Sequence, residues 1–291
     1  MKGNQISRKK PTFVISDLHI GDRSPKDSLC RAGRERLLNT FLDHVEDQNG
    51  QLVIIGDLFE LLRYPLESII ARRRDLLDRF AAMRTVYIPG NHDEEVVSLI
   101  DPKKPPHPFF AGMSDDFIRC IGGRRFKFTH GHEVDPFIKT SIQNLSRVFG
   151  ALAYQFESRK RTCPVPRSTG ADTLLEESRR IRPIRGRLRR RMSRALDVYY
   201  RTPAQKVRLM TRQLRTDRML TSYHGDRLEG LYDVAIVGHT HTAAALGDWY
   251  FNSGSWTERT NDFLEISPDG RVDVLHWNLA GSQPNKTTLA A

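Results

Sequence analysis

Short apolar runs alternate with amphipathic segments in the first third of the chain. Residues 13–15, 52–55 and 86–88 are apolar runs of strand length, and polar or turn-forming residues follow each of them. Between these runs, apolar residues at spacings of three and four predict helices over 37–45 and 66–80. Strands that alternate with helices in this way predict a parallel sheet.

The pattern changes twice in the remainder of the chain. Shorter β runs near 117–121 and 125–129 are followed by a helical pattern from 135 to 223. Its apolar stripe consists of Leu188, Met192, Leu196, Tyr199, Val207, Met210 and Leu214. Four further β runs are predicted at 234–237, 249–251, 263–266 and 272–275. The length of 291 residues fits a single α/β domain over 1–291 that carries a helical insertion at 135–223.

The positive charge of the chain is concentrated in this insertion. Residues 157–220 contain 19 Lys and Arg against 6 Asp and Glu, whereas the rest of the chain has a net charge of −2 out of the total of +11. A local excess of this kind indicates a local anionic partner rather than a generally basic protein.

Neither a membrane span nor a secretion signal is predicted. No apolar run reaches about 18 residues, and the apolar run after the basic N-terminus is only three residues long. The three cysteines, Cys30, Cys120 and Cys163, are far apart and lack a metal-binding or redox spacing. These features predict a cytoplasmic protein.

Five polar clusters each follow an apolar run. They are Asp17-Leu18-His19, Gly56-Asp57, Gly90-Asn91-His92-Asp93, His130-Gly131-His132 and Gly238-His239-Thr240-His241. A single cluster of this kind is equally compatible with a turn. Because loops at the carboxyl ends of parallel strands converge on one crevice, five in succession predict one site. Its carboxylate, imidazole and amide groups suit a divalent ion, with Mn²⁺ expected and Fe²⁺, Zn²⁺ and Ni²⁺ as alternatives.

The order of the clusters resembles the calcineurin-like metallophosphoesterase superfamily, and the resemblance extends from Asp17 to His241. It implies a two-sheet α/β/β/α sandwich with two divalent metal ions. The implied ligands are Asp17, His19, Asp57 and His241 for the first metal, and Asp57, Asn91, His130 and His239 for the second. Asp57 then bridges the metals, and His92 faces the leaving-group oxygen as a proton donor or charge stabiliser. Two metals about 3.5–4 Å apart lower the pKa of a shared water and hold the phosphoryl oxygens.

Three further residues are assigned from their positions near this set. Asp93 is a catalytic candidate that orients the imidazole of His92, with a loop cap as the alternative. His132 is expected to be structural, because the second histidine of that pair varies in related sequences. Glu60 is expected to support the ligands without binding a metal.

The clusters distinguish between branches of the superfamily. Gly56-Asp57-Leu58-Phe59-Glu60 and Asp93 differ from the G-D-x-V-D-R-G and G-N-H-E of serine/threonine protein phosphatases. Residues 56–60, 238–241 and 250–256 are similar to UDP-2,3-diacylglucosamine pyrophosphohydrolases and their relatives. The best-known branch of those enzymes has Arg where this chain has His92, and a shorter, less basic insertion.

The expected function is therefore hydrolysis of a pyrophosphate bond in a nucleotide-linked lipid. A phosphodiesterase acting on nucleotides or nucleic acid is the alternative, since His92 can protonate an alkoxide leaving group. A non-catalytic scaffold with the same fold is an alternative of another class, although all seven implied ligands are present.

Three roles stay open for the basic insertion. The first is a solvated hairpin that packs its apolar stripe on the domain. The second is a lid over the crevice or an element that lies on an anionic membrane surface and places the protein peripherally at the membrane. The third is a nucleic-acid contact. Nucleic acid is the least favoured, because only Tyr199 and Tyr200 supply aromatic rings within its most basic part.

Overall fold

The computed structural model describes residues 10–25, 27–31, 33–101, 103–135, 204–257 and 260–278, with only the backbone at 204–215. The chain forms two compact units, one made of residues 1–154 with 215–291 and the other of residues 155–214. Most of the second unit, including the apolar stripe from Leu188 to Tyr199, lies outside the described residues. The limits of the insertion therefore stay a prediction.

The described elements follow the predicted order closely. The strands are β1 (Thr12–Ile15), β2 (Gln51–Ile55), β3 (Val86–Ile88), β4 (Phe117–Ile121), β5 (Arg124–Phe128), β6 (Val234–Val237), β7 (Ala244–Leu246), β8 (Tyr250–Asn252), β9 (Asp262–Ile266) and β10 (Val272–His276). The α-helices are α1 (Arg34–Asp47), α2 (Leu66–Arg72), α3 (Arg74–Ala82), α4 (Val96–Leu99) and α5 (Ala204–Leu228). Short 3₁₀ turns occur at Ser28–Cys30, Pro108–Gly112 and His132–Val134.

The strands form two five-stranded sheets. In the first, of order β10-β9-β1-β2-β3, the three strands β1, β2 and β3 are parallel, and β9 and β10 add antiparallel pairs at one side. In the second, of order β4-β5-β6-β8-β7, the strands β5, β6 and β8 are parallel. The predicted parallel core is confirmed, and it is divided between both sheets.

Alternation along the strands separates the core into layers. On β1, Phe13 and Ile15 pack with Phe41 of α1, whereas Val14 belongs to the cluster between the sheets. A third cluster, which includes Met219 and Tyr223 of α5, covers the other face of the second sheet. Because successive side chains of a strand point to opposite faces, each sheet is apolar on both sides. The predicted α/β/β/α sandwich is confirmed.

One local prediction was wrong, and two short elements were not predicted. The single helix expected over 66–80 is two helices, α2 and α3, which meet at Arg73. The backbone of Arg73 is not helical, with φ −116° and ψ 22°, and its buried guanidinium lies 2.6 Å from Asp27 and 3.0 Å from Glu35. A charge of this kind is tolerated in the core only when paired. The elements that were not predicted are β7, a three-residue edge strand, and α4, a helix of four residues; both are too short to show a periodic pattern.

Among the described residues, no helix combines the length and the apolar character that crossing a membrane requires.

Candidate metal centre

All the predicted ligands lie in loops at the carboxyl ends of parallel strands. Asp17 and His19 follow β1, Asp57 follows β2 and His130 follows β5. Asn91 follows β3, and His239 and His241 follow β6. Backbone hydrogen bonds join loops of the same sheet, from Asp17 N to Gly56 O at 3.1 Å and from Gly238 N to His130 O at 3.0 Å. The backbone N–H of His239, in the second sheet, donates to Oδ2 of Asp17, in the first, at 3.1 Å. Both sheets therefore contribute to one site.

The backbone of several predicted ligands is in the left-handed region. The φ angles are 54° at Asp17, 46° at His19, 52° at Asp57, 69° at His239 and 57° at His241. Residues other than glycine rarely adopt this conformation, which costs roughly 1–3 kcal/mol where it is strained and is concentrated at functional sites. The left-handed backbone is therefore found at residues whose side chains are predicted to bind metal.

Two glycines allow the ligands to approach the backbone closely. A Cβ at Gly56, whose φ is 88°, would lie 2.1 Å from Nδ1 of His130. A Cβ at Gly90 would lie 2.3 Å from Oδ1 of Asp57. Any larger residue at either position would displace a predicted ligand, because real Cβ contacts are never this short.

The ligands predicted for the first metal are together in the structure. The ligand atoms of Asp17, His19, Asp57 and His241 all lie within 4.8 Å of one another. Nε2 of His241 is 3.0 Å from Oδ1 of Asp17, and Nε2 of His19 is 3.6 Å from Oδ2 of Asp57. Within the described part of the chain, Nε2 of His19 is buried without a hydrogen-bond partner. A buried nitrogen that faces carboxylates fits a metal ligand.

The side chains predicted for the second metal adjoin this set. Nε2 of His130 is 3.4 Å from Oδ2 of Asp57 and 3.3 Å from Oδ1 of Asn91. The ring of His239 lies 5.1 Å from that of His130, measured between centroids. The same oxygen of Asp57 thus faces His19 on one side and His130 on the other, as a bridging carboxylate requires.

The buried charges in the site stabilise one another. Burial by itself lowers the pKa of His130. The charge of Asp57, the hydrogen bond between His130 and Asp57, and the charge of Asp17 together raise this pKa to about 10. Burial likewise raises the pKa of Asp57, and the charges of His130 and His92 bring it well below its usual value. A protein without bound metal therefore holds a proton on His130 at neutral pH.

His92 is held by Glu60. Its Nδ1 lies 3.0 Å from Oε1 of Glu60, and Nδ1 of His19 lies 3.0 Å from Oε2 of the same carboxylate. Burial lowers the pKa of His92, but the charges of Asp57 and Glu60 raise it to about 9. Burial raises the pKa of Glu60, and the two histidines lower it to about 2. Glu60 thus supports a predicted ligand, as expected, and also keeps His92 protonated.

Asp93 has the contacts of the loop-cap alternative. Its fully buried carboxylate accepts hydrogen bonds from the backbone N–H groups of Phe59, at 2.9 Å, and Gly90, at 2.6 Å. Burial and the charge of Asp57 raise the pKa of Asp93 to about 6. The side chain that is hydrogen-bonded to His92 is that of Glu60, so an orienting role for Asp93 has no contact in its favour.

Two acidic residues of the loop after β5 were missed in the sequence. Oδ2 of Asp135 lies 2.9 Å from Nε2 of His239, and the Asp135 side chain is fully buried. Glu133 accepts hydrogen bonds from Thr129 Oγ1, at 3.0 Å, and Tyr223 OH, at 2.7 Å. The only available signal was their proximity to the His130-Gly131-His132 cluster, because their partners are distant in sequence.

A cavity of about 980 Å³ adjoins the site on the side of His130 and His132. Its lining carries the carboxylates of Glu94, Glu95, Asp115, Asp116 and Glu133. Burial and the charge of His130 lower the pKa of His132 to about 4, so this imidazole is neutral at physiological pH. The lining of the cavity is therefore acidic.

The donor set fits divalent cations. Carboxylate, imidazole and amide oxygens suit ions of borderline hardness, and the oxygen of Asp57 is shared between two groups of histidines. The four residues predicted for the first metal form one group in the structure. The assignment of Asn91, His130 and His239 to a second metal that shares Asp57 stays a prediction from the family resemblance.

Comparisons with known proteins place this site in a family. The model of the calcineurin-like phosphoesterase family matches residues 10–243, whereas no curated protein matches the chain.

Several solved structures are similar over most of the chain. Vps29 from Entamoeba histolytica complexed with Zn²⁺ is 15% identical with a TM-score of 0.40, covering 94% of this chain and 96% of that one. Vps29 from Cryptosporidium parvum is 12% identical with a TM-score of 0.39, covering 95% and 94%. A predicted phosphoesterase from Streptococcus pneumoniae TIGR4 is 14% identical with a TM-score of 0.34, covering 97% and 100%. At this level of similarity they carry no argument about activity.

The family match covers the whole described site. It begins before β1 and ends after His241, so that every predicted ligand lies within it. The sandwich, the ligands at the strand ends and the match lead to the same conclusion: this chain belongs to the calcineurin-like phosphoesterase family.

Proposed function

We propose that this protein is a dinuclear metal-dependent hydrolase that cleaves the pyrophosphate bond of a nucleotide-linked lipid such as UDP-2,3-diacylglucosamine. The observation that carries the catalytic part is the position of Asp57, whose Oδ2 lies 3.6 Å from Nε2 of His19 and 3.4 Å from Nε2 of His130. A carboxylate between two groups of ligands supports binding of two cations that share it.

The residues around Asp57 have separable roles in this reaction. Two divalent cations, when bound, supply an activated water and neutralise the charge of the phosphoryl group. His92 transfers a proton to the leaving-group oxygen from Nε2, because Nδ1 is engaged by Glu60. Glu60 fixes the ring and stabilises its positive charge, and the backbone N–H of His92 donates to Oδ1 of Asp57 at 2.8 Å.

The choice of a nucleotide-linked lipid is supported by resemblance. In the segment 250–256, Nδ2 of Asn252 donates to Gly238 O at 2.7 Å, and Ser253 Oγ lies 2.7 Å from Ser16 Oγ. These buried residues shape the loops that carry Asp17 and His239. The lipid substrate itself is inferred from the sequence similarity of residues 56–60, 238–241 and 250–256 to the pyrophosphohydrolases.

One observation favours the phosphodiesterase as a second candidate. His92, with its pKa raised to about 9, is a proton donor at neutral pH, and an alkoxide leaving group needs such a donor more than a phosphate does. A nucleic-acid substrate is less well supported, because the acidic cavity beside His130 repels a phosphate backbone.

The substrate is tested by incubating the full chain with UDP-2,3-diacylglucosamine and Mn²⁺ in detergent and following the release of UMP. We expect rapid release that EDTA abolishes. The matched reaction uses bis(p-nitrophenyl) phosphate under the same conditions. Cleavage of the diester without UMP release would reject the lipid and favour the phosphodiesterase. Activity toward neither substrate, with metal bound, would favour the scaffold.

Metal binding is expected to release protons. Because His130 is protonated in the metal-free protein, with a pKa of about 10, Mn²⁺ must displace that proton to bind its nitrogen. The apparent affinity should rise with pH between 6 and 9, by up to about tenfold per unit for each proton displaced. Titration calorimetry at pH 7 in Hepes and Tris, which have different ionisation enthalpies, measures the number of protons released.

The exposed His224 provides the control for this measurement. His224→Gln should leave proton release unchanged, whereas His130→Gln should lower both the release and the number of Mn²⁺ ions bound. Binding of two ions to the unaltered chain at pH 7 without proton release would contradict the assignment of His130 as a ligand.

Contact of the Arg-rich region 157–220 with an anionic membrane surface, and a cytoplasmic or membrane-peripheral location, remain proposals from composition. The region lies largely outside the described residues.

A further inference from the structure

The hydrogen bond between His239 and Asp135 joins two loops of the site. Nε2 of His239 lies 2.9 Å from Oδ2 of Asp135. The side chain of His239 is 5% exposed and that of Asp135 is fully buried. These residues are 104 positions apart in the sequence, and they lie in the loops after β6 and β5.

The contact determines which ring nitrogen of His239 is available to a metal. An ionised carboxylate can only accept hydrogen bonds, so Nε2 carries the hydrogen and Nδ1 keeps its lone pair. A neutral imidazole binds a metal through the nitrogen without hydrogen. With Nε2 committed to Asp135, only Nδ1 of His239 can serve as a ligand.

The surroundings hold this pair in place. The backbone N–H of His239 donates to Oδ2 of Asp17 at 3.1 Å. The backbone N–H of Asp135 donates to the carbonyl oxygen of His132 at 3.1 Å, closing the 3₁₀ turn that follows His130. The loop that supplies the ligand His130 therefore also supplies the carboxylate that orients the ligand His239.

We propose that Asp135 is a positioning residue for the second metal, which fixes the Nε2–H tautomer of His239 and directs Nδ1 at the ion. This inference rests on the proposed two-metal function. It assigns to Asp135 a role in assembling the second site and none in the first. Such outer partners of metal-bound histidines typically contribute about 10–100-fold to metal affinity.

The test compares Mn²⁺ binding by the unaltered chain and by Asp135→Ala. We expect the variant to bind the second Mn²⁺ about 10–100-fold more weakly and the first with unchanged affinity. Electron paramagnetic resonance distinguishes the coupled pair of ions from a single ion, and it does not depend on turnover. The tautomer is measured separately by nitrogen-15 NMR of labelled histidine in the metal-free protein, where Nε2 of His239 should carry the hydrogen.

Glu133→Gln is the matched control. Glu133 lies in the same turn, but it accepts hydrogen bonds from Thr129 Oγ1, Tyr223 OH and the backbone N–H of Gly131, and none from the side chain of a predicted ligand. The Glu133→Gln variant should bind both ions as the unaltered chain does. In Asp135→Asn the amide oxygen can still accept a hydrogen bond from Nε2–H of His239, so this variant should bind the second Mn²⁺ more tightly than Asp135→Ala does.

The outcomes separate this inference from the proposed function. If the unaltered chain binds fewer than two ions, the two-metal function fails. If it binds two and Asp135→Ala binds two with unchanged affinity, the role of Asp135 is rejected while the function stands. An equal loss of affinity for both ions in Asp135→Ala, or the same loss in Glu133→Gln, would also reject the role of Asp135. Either result would indicate that the whole loop is disturbed.

Discussion

Asp57→Asn is expected to lower the turnover number for phosphoester hydrolysis at least about 10³-fold, equivalent to about 4 kcal/mol of transition-state stabilisation. The carboxylate offers a negative charge to both groups of ligands, and its Oδ2 faces His19 and His130. An amide has no charge and only one acceptor oxygen. The variant should therefore bind fewer than two ions, which metal analysis after gel filtration measures beside the rate.

A surface carboxylate provides the control for Asp57. Asp43 of α1 is exposed and pairs with Arg79 at 2.6 Å, and such pairs contribute little to stability. Asp43→Asn should retain both the rate and two bound ions. Full activity of Asp57→Asn would remove the two-metal assignment, and loss of the rate with both ions retained would show that Asp57 acts other than as a bridge.

His92→Ala is expected to lower the turnover number by about 10²–10⁴-fold while two metals stay bound. His92 contacts Glu60 and, through its backbone, Asp57, and it belongs to neither group of predicted ligands. The loss should be smaller for p-nitrophenyl esters than for alkyl esters, because p-nitrophenolate leaves without protonation. Rates for both ester classes and the metal content of the variant provide the test.

The pH profile gives a second measure of His92. The pKa of His92 is raised, so its imidazole is protonated at neutral pH. If His92 donates a proton to the leaving group, the rate should fall as the pH rises through this pKa. Bound cations offset the charge of Asp57, which is one cause of the raised pKa of His92. The alkaline limb of the pH–rate profile should therefore have its midpoint below the pKa of about 9. The limb should be absent in His92→Ala and present in His224→Gln. Equal losses for good and poor leaving groups would contradict proton donation by His92.

His92, the proposed proton donor, and the carboxylate next to it in the chain show how far sequence patterns extend. Asp93 is adjacent to His92 in the chain and was the natural candidate to orient it. In the structure Asp93 caps a loop through the N–H groups of Phe59 and Gly90, and Glu60 contacts the imidazole. Adjacent residues of a tight turn point in different directions, so neighbours in sequence are often not neighbours in the site.

The two-sheet sandwich was implied by the family resemblance. What the sequence pattern by itself determined was the α/β class with its parallel strands, the order of all strands but β7 along the chain, and the set of candidate ligands. Each follows from local pattern, since a strand exit places its next residues at the edge of the sheet. Only the tertiary structure decided that Glu60 holds His92 and that Asp135 holds His239, across 32 and 104 residues of sequence. It also decided the helix break at the buried Arg73. These contacts depend on how separate loops are packed, which no local pattern contains.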